Sequence, residues 1–201
     1  MTVRVYRSTD GSAPVLNGTA GSFSALLYAC LVTGYGSQSS SGWAREFTAA
    51  NKAVFRAATG NRFRLRVDDT GTQEARMVGY EVMTDVDTGT SPFPTSGQVT
   101  GGLFVRKSNT ADATSRPWVL ITTGTAFYFL PHSLSSDWLT PLTNDYTYLS
   151  GQCFFGDVLS FKSGDAFNTM IIGAEATGTS VGRLGLCIGQ SSASQPSIGH
   201  Y

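Results

Sequence analysis

Short apolar segments alternate with polar turns along most of this chain, and within many of them apolar and polar residues alternate with the two-residue period of a β-strand. The segments with strand character are Val3–Arg7, Phe63–Val67, Ala75–Met83, Gly102–Lys107, Pro117–Thr122, Ala126–Leu130, Cys153–Phe161, Phe167–Ile172 and Arg183–Ile188. Turn residues at Asp68–Gly71 and Thr123–Thr125 predict hairpins between their flanking segments. The pattern predicts a mainly β fold, an antiparallel β-sandwich or barrel-like sheet.

One segment has helical spacing instead. Between Ser22 and Val32 the apolar side chains recur every three to four residues, at Phe23, Leu26, Leu27, Cys30 and Leu31. Ser22 is a residue type that caps helix N-termini, and Gly34 is a type that ends helices. The sequence therefore predicts one short N-terminal helix with Ser22 as its N-cap.

Three other segments have a less regular pattern. Trp43–Ala58 contains helix formers in short alternating groups, and we expect two strands around a turn at Ala49–Asn51, with a helix over residues 48–58 as the alternative. Gly34–Gly42 is rich in Gly and Ser, which predicts a flexible loop. Ser91–Gly97 contains two prolines without N–H donors, which predicts an extended surface loop rather than a strand.

The chain has no internal repeat and no composition change that would mark a domain boundary. We therefore expect a single β-rich domain over residues 1–201, with an extended C-terminal tail at 189–201. The N-terminus lacks the basic head and apolar block of a secretory signal, which favours synthesis and retention in a cytoplasm. The longest apolar stretch, Ala25–Val32, is far shorter than the roughly 20 residues of a membrane helix, so we expect no membrane contact.

Charge is sparse and balanced. Lys and Arg number 14, Asp and Glu also number 14, and charged residues make up 14% of the chain. A net charge of zero provides no long-range field to attract nucleic acid or an anionic membrane. With so few charges, electrostatic repulsion between isolated molecules is weak, which favours a subunit whose surface is covered by neighbours. We therefore expect a symmetric homo-oligomer and no nucleic-acid partner.

Residues that commonly carry catalysis are scarce. The two histidines, His132 and His200, are not near a recognisable nucleophile motif. The three cysteines lie among apolar residues without a second ligand at a useful spacing, which predicts buried free thiols at Cys30, Cys153 and Cys187. The sequence predicts no enzyme, no catalytic or metal-binding residue and no cofactor.

Acidic residues give two weak alternatives to that prediction. Asp85 and Asp87, followed by Gly89, resemble the start of a calcium loop, but the closing twelfth position holds Ser96 instead of an acidic ligand. We therefore interpret this segment as a turn tied by its Asp and Thr side chains. A glycosidase would need a carboxylate pair, and nothing in the sequence selects one from Asp85, Asp87, Asp157 and Glu81.

Three arginines, Arg62, Arg64 and Arg66, lie at alternate positions and so share one face of a predicted strand. Such a stripe could bind phosphate. The alternative, which we favour, is a set of ion pairs at a subunit contact, with partners among the nearby carboxylates Asp68, Asp69 and Glu74.

Six sequence blocks between Val3 and about Arg183 share one resemblance. They are Asn51–Arg56, Arg64–Asp69, Glu74–Gly89, Pro92–Thr95, Phe154–Asp157 and Lys162–Phe167. Together these blocks resemble a family of structural proteins encoded among the virion genes of tailed bacteriophages. The blocks define a family and not a reaction, so the resemblance implies no catalytic residue.

The resemblance implies a minor structural protein of the virion, assembled in the host cytoplasm. It would join tail, baseplate or neck components through contacts with other virion structural proteins in a multi-copy assembly. One alternative is a receptor- or carbohydrate-binding module of the adsorption apparatus, and another is a capsid decoration protein. In a sugar-binding module, aromatic residues would stack on sugar rings, with Trp43, Trp118, Trp138 and Tyr148 as candidates. Most of these lie in apolar strand patterns, which favours core packing.

Overall fold

The computed structural model describes residues 2–131, 152–159, 167–174, 184–189 and 198–200, and within these ranges it contains thirteen strands and one short α-helix. The helix, α1, is Ser22–Tyr28, and it continues into a π-helical turn at Ala29–Thr33. The strands are β1 (Arg4–Arg7), β2 (Ala44–Ala49), β3 (Lys52–Arg56), β4 (Arg64–Asp68), β5 (Glu74–Asp85), β6 (Thr88–Phe93), β7 (Leu103–Arg106), β8 (Trp118–Thr122), β9 (Ala126–Pro131), β10 (Cys153–Leu159), β11 (Phe167–Ala174), β12 (Leu184–Gly189) and β13 (Ile198–His200).

The described strands pair antiparallel along one hydrogen-bonded path, in the order β1-β8-β9-β10-β11-β7-β5-β4-β3-β2. Strand β6 pairs with β5 beside β7, while β12 and β13 extend from β11. The path forms two layers that meet at β11 and β7, where Ala174 pairs with Phe104. The predicted fold class, a mainly β antiparallel sandwich with one short helix, is confirmed.

An apolar core lies between the two layers, and aromatic rings from both layers fill it. Phe155 of β10 stacks on Phe93 of β6 with ring centroids 6.3 Å apart. Trp43, just before β2, contacts Phe155 edge-on at 6.2 Å. Helix α1 adds Phe23, whose ring centroid lies 4.9 Å from that of Phe129 in β9. Burial of these rings therefore holds the two layers and the helix together.

The helix has a different N-terminus from the predicted one. Gly21 is the N-cap residue and Ser22 is already helical, so the prediction of Ser22 as the N-cap is wrong. The amides of Phe23 and Ser24 instead donate to the carboxylate of Asp69, at 2.8 and 3.0 Å. A carboxylate from a distant turn replaces the local cap, and helical spacing alone gives no sign of it.

Most predicted boundaries of the other elements agree with the structure. Strands β2 and β3 flank a turn at Ala50–Asn51, which confirms the two-strand interpretation, and the alternative helix over residues 48–58 is wrong. The predicted hairpins β4–β5 and β8–β9 are both present. Gly34 ends the π-helical turn, as predicted for the helix end, with a φ of 80° that favours glycine.

The prediction of a loop without a strand at Ser91–Gly97 is wrong for its first part. Ser91, Pro92 and Phe93 belong to β6, and Pro92 lies opposite Tyr80 of β5. Strand β6 has β5 as its paired neighbour within the described residues. An edge strand uses only alternate N–H groups for pairing, which leaves room for a proline.

The loop Gly34–Gly42, predicted to be flexible, makes several contacts. The Tyr35 hydroxyl and the Gln38 side-chain amide donate to the Asp10 carboxylate, at 2.9 and 3.2 Å. The Tyr6 hydroxyl donates to a backbone carbonyl of the loop at 2.7 Å. The mobility of this loop stays a prediction, and these hydrogen bonds oppose it.

The C-terminal tail, predicted as an extended segment at 189–201, contributes β13, which pairs with β12. The rest of the tail beyond Gly189 lies outside the described residues, as does the connection 132–150 with His132, Trp138 and Tyr148.

Candidate interaction surface

Five side chains form a straight row across five neighbouring strands of one layer. Val5 lies opposite Ile121, Ile121 opposite Tyr128, Tyr128 opposite Phe154, and Phe154 opposite Ile172. We call these five residues the outer row. Because directly opposed residues in an antiparallel sheet have Cβ atoms about 5 Å apart, the row is a continuous apolar strip.

The outer row points away from the core. Its members alternate along each strand with buried residues such as Tyr6, Leu120 and Phe155. Four of the five are half-buried, and Tyr128 is 37% exposed. Within the described part of the chain, none of the five belongs to either hydrophobic cluster. The strip is therefore on the outside of the layer, which we call the outer face.

Little charge surrounds the outer row. Strands β8, β9 and β11 contain no Asp, Glu, Lys or Arg. Half-buried apolar residues occupy the neighbouring outward positions, including Val119, Leu130 and Met170. The Tyr128 hydroxyl donates to the Gln152 side-chain oxygen at 2.9 Å, while β1 adds the exposed cation Arg7 at one end. This arrangement can bind an apolar surface and offers little to a charged ligand.

The other layer presents a charged outer side, and its charges are paired within the chain. Arg64 donates to Glu46 at 3.0 Å, and Arg66 to Asp68 at 3.1 Å. Arg66 also contacts Asp87, which pairs with Lys52 at 3.0 Å. The arginine stripe is thus largely neutralised, which argues against phosphate binding. Its role in a subunit contact stays a prediction.

Only part of the predicted ion pairing is right. Asp68 pairs with an arginine of the stripe, but Asp69 and Glu74 do not: Glu74 lies 3.9 Å from Arg106, and Asp69 contacts Lys107. Arg62 lies before β4, is exposed, and has a φ of 58°. It therefore does not continue the strand face of the other two arginines.

The segment interpreted as a turn is the tip of the β5–β6 hairpin. Val86 and Asp87 form the turn, and the Asp85 carboxylate accepts the Val86 amide at 2.6 Å. Hydrogen bonds from Arg66 and Lys52 hold the pKa of the Asp87 carboxyl below its usual value. No group of three or more His, Cys, Asp or Glu side chains within the described ranges is arranged to hold a metal ion.

Asp157 of β10 has a structural environment. One carboxylate oxygen accepts the Asn61 amide at 2.7 Å, and the other accepts the Thr169 hydroxyl at 2.6 Å. Burial raises the pKa of Asp157, and these two donors oppose the rise. Through these hydrogen bonds, Asp157 connects the paired strands β10 and β11 to the loop before β4. Asp85 and Asp87 lie elsewhere, at the tip of the β5–β6 hairpin. The structure therefore gives no reason to combine them as a glycosidase pair.

A buried ion pair lies beneath the helix. Asp69 and Lys107 both have 0% side-chain exposure and contact each other directly. Lys107 also donates to the carbonyls of Thr19 and Gly71, at 2.8 and 3.1 Å. Burial raises the pKa of Asp69, while Lys107 and the two helix amides oppose the rise. Each charge has its hydrogen-bonding capacity largely filled, so the pair acts as a structural clamp.

The remaining candidate residues are in the core or outside the described residues. Trp43 and Trp118 are buried, which confirms core packing over sugar stacking for these two. Cys30 and Cys153 are buried free thiols, as predicted, and burial raises the pKa of both. The side chain of Cys187 is not among those described.

A polar cleft of about 340 Å³ lies near the start of β1, lined by Thr2, Arg4, Ser41, Thr59, Gly124 and Thr125. It brings hydroxyl groups and one arginine together without a histidine or carboxylate in that lining. This is not an arrangement that generates a nucleophile.

Comparison with family models, curated proteins and solved structures gives no match to this chain. The resemblance to virion proteins of tailed bacteriophages therefore stays a prediction. No helix in the described ranges has both the length and the apolar character needed to cross a bilayer.

The outer row is the feature that the sequence analysis missed. Its signal was present in Pro117–Thr122 and Ala126–Leu130, where residues at both alternating positions are apolar. Strands that are apolar on both faces are typical of sheets covered on both faces.

Proposed function

We propose that this chain is a minor structural protein of a tailed-phage virion, which joins tail, baseplate or neck components through protein–protein contacts. The observation that carries the proposal is the outer row, an uncharged strip across five strands on the outside of the sandwich. The resemblance of its sequence blocks to virion structural proteins supplies the biological setting.

Physical chemistry favours a protein as the partner. A contiguous apolar patch on an outer face costs solvation free energy in an isolated molecule and gains it when another surface covers the patch. Interface centres are depleted of charged residues and enriched in aromatic ones, as the outer row is around Tyr128 and Phe154. The absence of charge from β8, β9 and β11 gives a nucleic acid or an anionic lipid surface no electrostatic contact there.

The alternatives fit these observations less well. A carbohydrate-binding module needs aromatic rings at an accessible site, and two of the candidate tryptophans, Trp43 and Trp118, are in the core. A capsid decoration protein would use the same kind of uncharged contact surface. It differs from our proposal in the location of the chain within the particle.

The test is an inventory of purified particles followed by localisation of the chain by cryo-electron microscopy. We expect a fixed copy number per particle and density in the tail, baseplate or neck. Particles that mature with full infectivity and lack the chain would contradict the proposal, and density on the capsid would favour the decoration alternative.

Two variants test whether the outer row makes contacts in the particle. Ile121→Asp places a carboxylate within the strip, and we expect it to lower incorporation into particles at least about tenfold. Val82→Asp is the control outside the strip, because Val82 lies on β5 in the other layer and is 47% exposed. Equal incorporation of the two variants would show that the outer row makes no contact in the particle.

A further inference from the structure

We infer that a cleft beside the start of β1 binds the carboxylate group of a ligand, with Arg4 as its counter-ion. We call it the β1 cleft, and it is lined by Thr2, Arg4, Ser41, Thr59, Gly124 and Thr125. The side chain of Arg4 leaves the same face of β1 as the buried Tyr6, whereas Val5 of the outer row leaves the other face. The β1 cleft is therefore a different surface from the outer row, and its role does not depend on the proposed function.

Arg4 is a half-buried cation without a partner. Its side chain makes no hydrogen bond, ion pair or aromatic contact with any residue that the structure describes. The other half-buried arginines in the same ranges each contact a carboxylate, a carbonyl or a hydroxyl; they are Arg56, Arg64, Arg66, Arg76, Arg106 and Arg116. A guanidinium that has lost part of its hydration and has gained no partner binds an anion favourably.

The rest of the lining offers neutral hydrogen-bond donors. The hydroxyls of Thr2 and Thr59 make no hydrogen bond to the described part of the chain, so each is free to donate to a ligand. Thr125, which is 5% exposed, adds a third hydroxyl, 3.2 Å from that of Thr123. The lining contains no carboxylate. One cation together with neutral donors suits a ligand that carries negative charge.

Hydrogen bonds between distant segments hold the walls of the β1 cleft in place. The amides of Ala58 and Thr59 both donate to the Gly124 carbonyl, at 2.9 and 3.3 Å. The Trp43 indole N–H donates to the Thr123 carbonyl at 2.9 Å. The turn between β8 and β9 is thereby held against the segment that follows β3. A site that is ordered before its ligand arrives loses less conformational entropy on binding.

The charge of the cleft favours a carboxylate over a phosphate. One guanidinium balances the single negative charge of a carboxylate, whereas a phosphate group carries about −1.5 to −2 at neutral pH. Asp157 lies behind the wall, where its amide donates to the Thr125 carbonyl at 3.1 Å. Its carboxylate accepts hydrogen bonds from Asn61 and Thr169. This negative charge therefore has its own donors, and it disfavours a dianion nearby.

The volume of the cleft indicates a ligand larger than a single ion. It is about 340 Å³, near the lower end of the range of about 300–1,000 Å³ for small-molecule sites. A carboxylate fills only a small part of this space, since one water molecule takes about 30 Å³. The carboxylate is therefore one group of a larger ligand, such as an acidic side chain or the C-terminus of a polypeptide.

Titration of the purified, isotope-labelled chain followed by NMR tests the site and separates these two sources. N-acetylglutamic acid amide carries only a side-chain carboxylate, and N-acetylglycine carries only a chain terminus. We expect saturable shifts of the Arg4 side-chain N–H and of the Gly124 and Thr125 amides, with a dissociation constant in the millimolar range for at least one acid. The uncharged counterparts, N-acetylglutamine amide and N-acetylglycine amide, are the matched controls and should give no saturable shift.

Variants connect the shifts to the β1 cleft. Arg4→Gln removes the charge and should weaken binding at least about tenfold. Arg7→Gln is the matched control, because it removes the same charge from the same strand, but Arg7 is exposed and leaves the other face of β1. It should change binding less than about twofold. Thr59→Val removes one hydroxyl donor and should weaken binding about twofold to tenfold. The dispersion of the amide spectra checks that each variant is folded.

Any of four results would overturn the inference. They are no saturable shift with either acid, equal binding of an acid and its uncharged counterpart, unchanged binding in Arg4→Gln, and inorganic phosphate bound more tightly than both acids. None of them bears on the proposed function, which is tested in particles through the outer row. Absence of the chain from particles would contradict the proposed function and not this site.

Discussion

Two residues, Asp69 and Lys107, connect the helix, the β4–β5 turn and β7 through buried charges. Lys107→Met would leave the Asp69 carboxylate buried without its cation, and we expect a loss of about 3–5 kcal/mol in the free energy of unfolding. Urea denaturation measures this. Lys52→Met is the matched control, because Lys52 pairs with Asp87 near the surface, and it should cost less than about 1 kcal/mol.

A double variant tests whether the charges of Asp69 and Lys107 stabilise the protein as a pair or only through the packing of their side chains. Lys107→Met with Asp69→Asn removes both charges and keeps a side chain that can accept the two helix amides. We expect it to be more stable than Lys107→Met alone, since no uncompensated charge is buried. If the double variant is less stable by the full sum of the two single changes, the pair is not coupled.

Asp87 makes stability depend on pH in a defined direction. Hydrogen bonds from Arg66 and, with a smaller effect, from Lys52 lower its pKa. The Asp87 carboxyl therefore takes up a proton at a lower pH in the folded protein than in the unfolded chain. Its contribution to stability is therefore complete above a pH of about 4 and is lost as the pH falls further. We expect Asp87→Asn to destabilise the protein modestly at neutral pH and by less as the pH falls below about 4.

Denaturation of both proteins across that pH range measures the difference. Because Asp87 is half exposed, the effect at neutral pH should not exceed about 1 kcal/mol. A difference between the two proteins that grows as the pH falls would contradict the assignment.

At the scale of elements, β6 is fixed to β5 by a ring that covers a glycine. Phe93 lies opposite Gly79, and a Cβ at Gly79 would overlap the Phe93 ring. We expect Gly79→Ala to lower stability by about 1–3 kcal/mol through overpacking. Gly97→Ala, where a Cβ would meet no atom within 4 Å, should change stability by less than about 0.5 kcal/mol. Equal effects in urea denaturation would show that Phe93 does not pack on Gly79.

The elements themselves were largely predictable, because their patterns are local. Alternation identified β4 and β5, and the turn residues between β8 and β9 identified that hairpin. What failed depends on distant partners. The cap of α1 comes from Asp69, and β6 tolerates Pro92 because it lies at an edge, so neither could be recognised from neighbouring residues.

At the scale of the whole molecule, one core joins both layers and the helix. Among the described residues, buried side chains from α1, from β3–β5 and from β8–β11 share the larger of two hydrophobic clusters, and Val54, Met83 and Val86 form the smaller one. We therefore expect one cooperative unfolding transition, with coincident urea curves from far-ultraviolet circular dichroism and tryptophan fluorescence. Two separated transitions would mean that the layers unfold independently.

The candidate interaction surface could be predicted only in part. The apolar character of β8 and β9 on both alternating positions is visible in the sequence. The outer row is not, because Val5 and Ile121 become neighbours only through the strand order of the folded sheet. Register between distant strands depends on packing of the whole core, which single segments do not encode.

The capping of α1 by Asp69 has a consequence for the order of folding. A seven-residue helix is too short to persist alone in water, and the carboxylate that accepts its first amides is 46 residues away from Phe23. We therefore expect the helix to form together with the β4–β5 hairpin, whose turn carries Asp69, and not ahead of it.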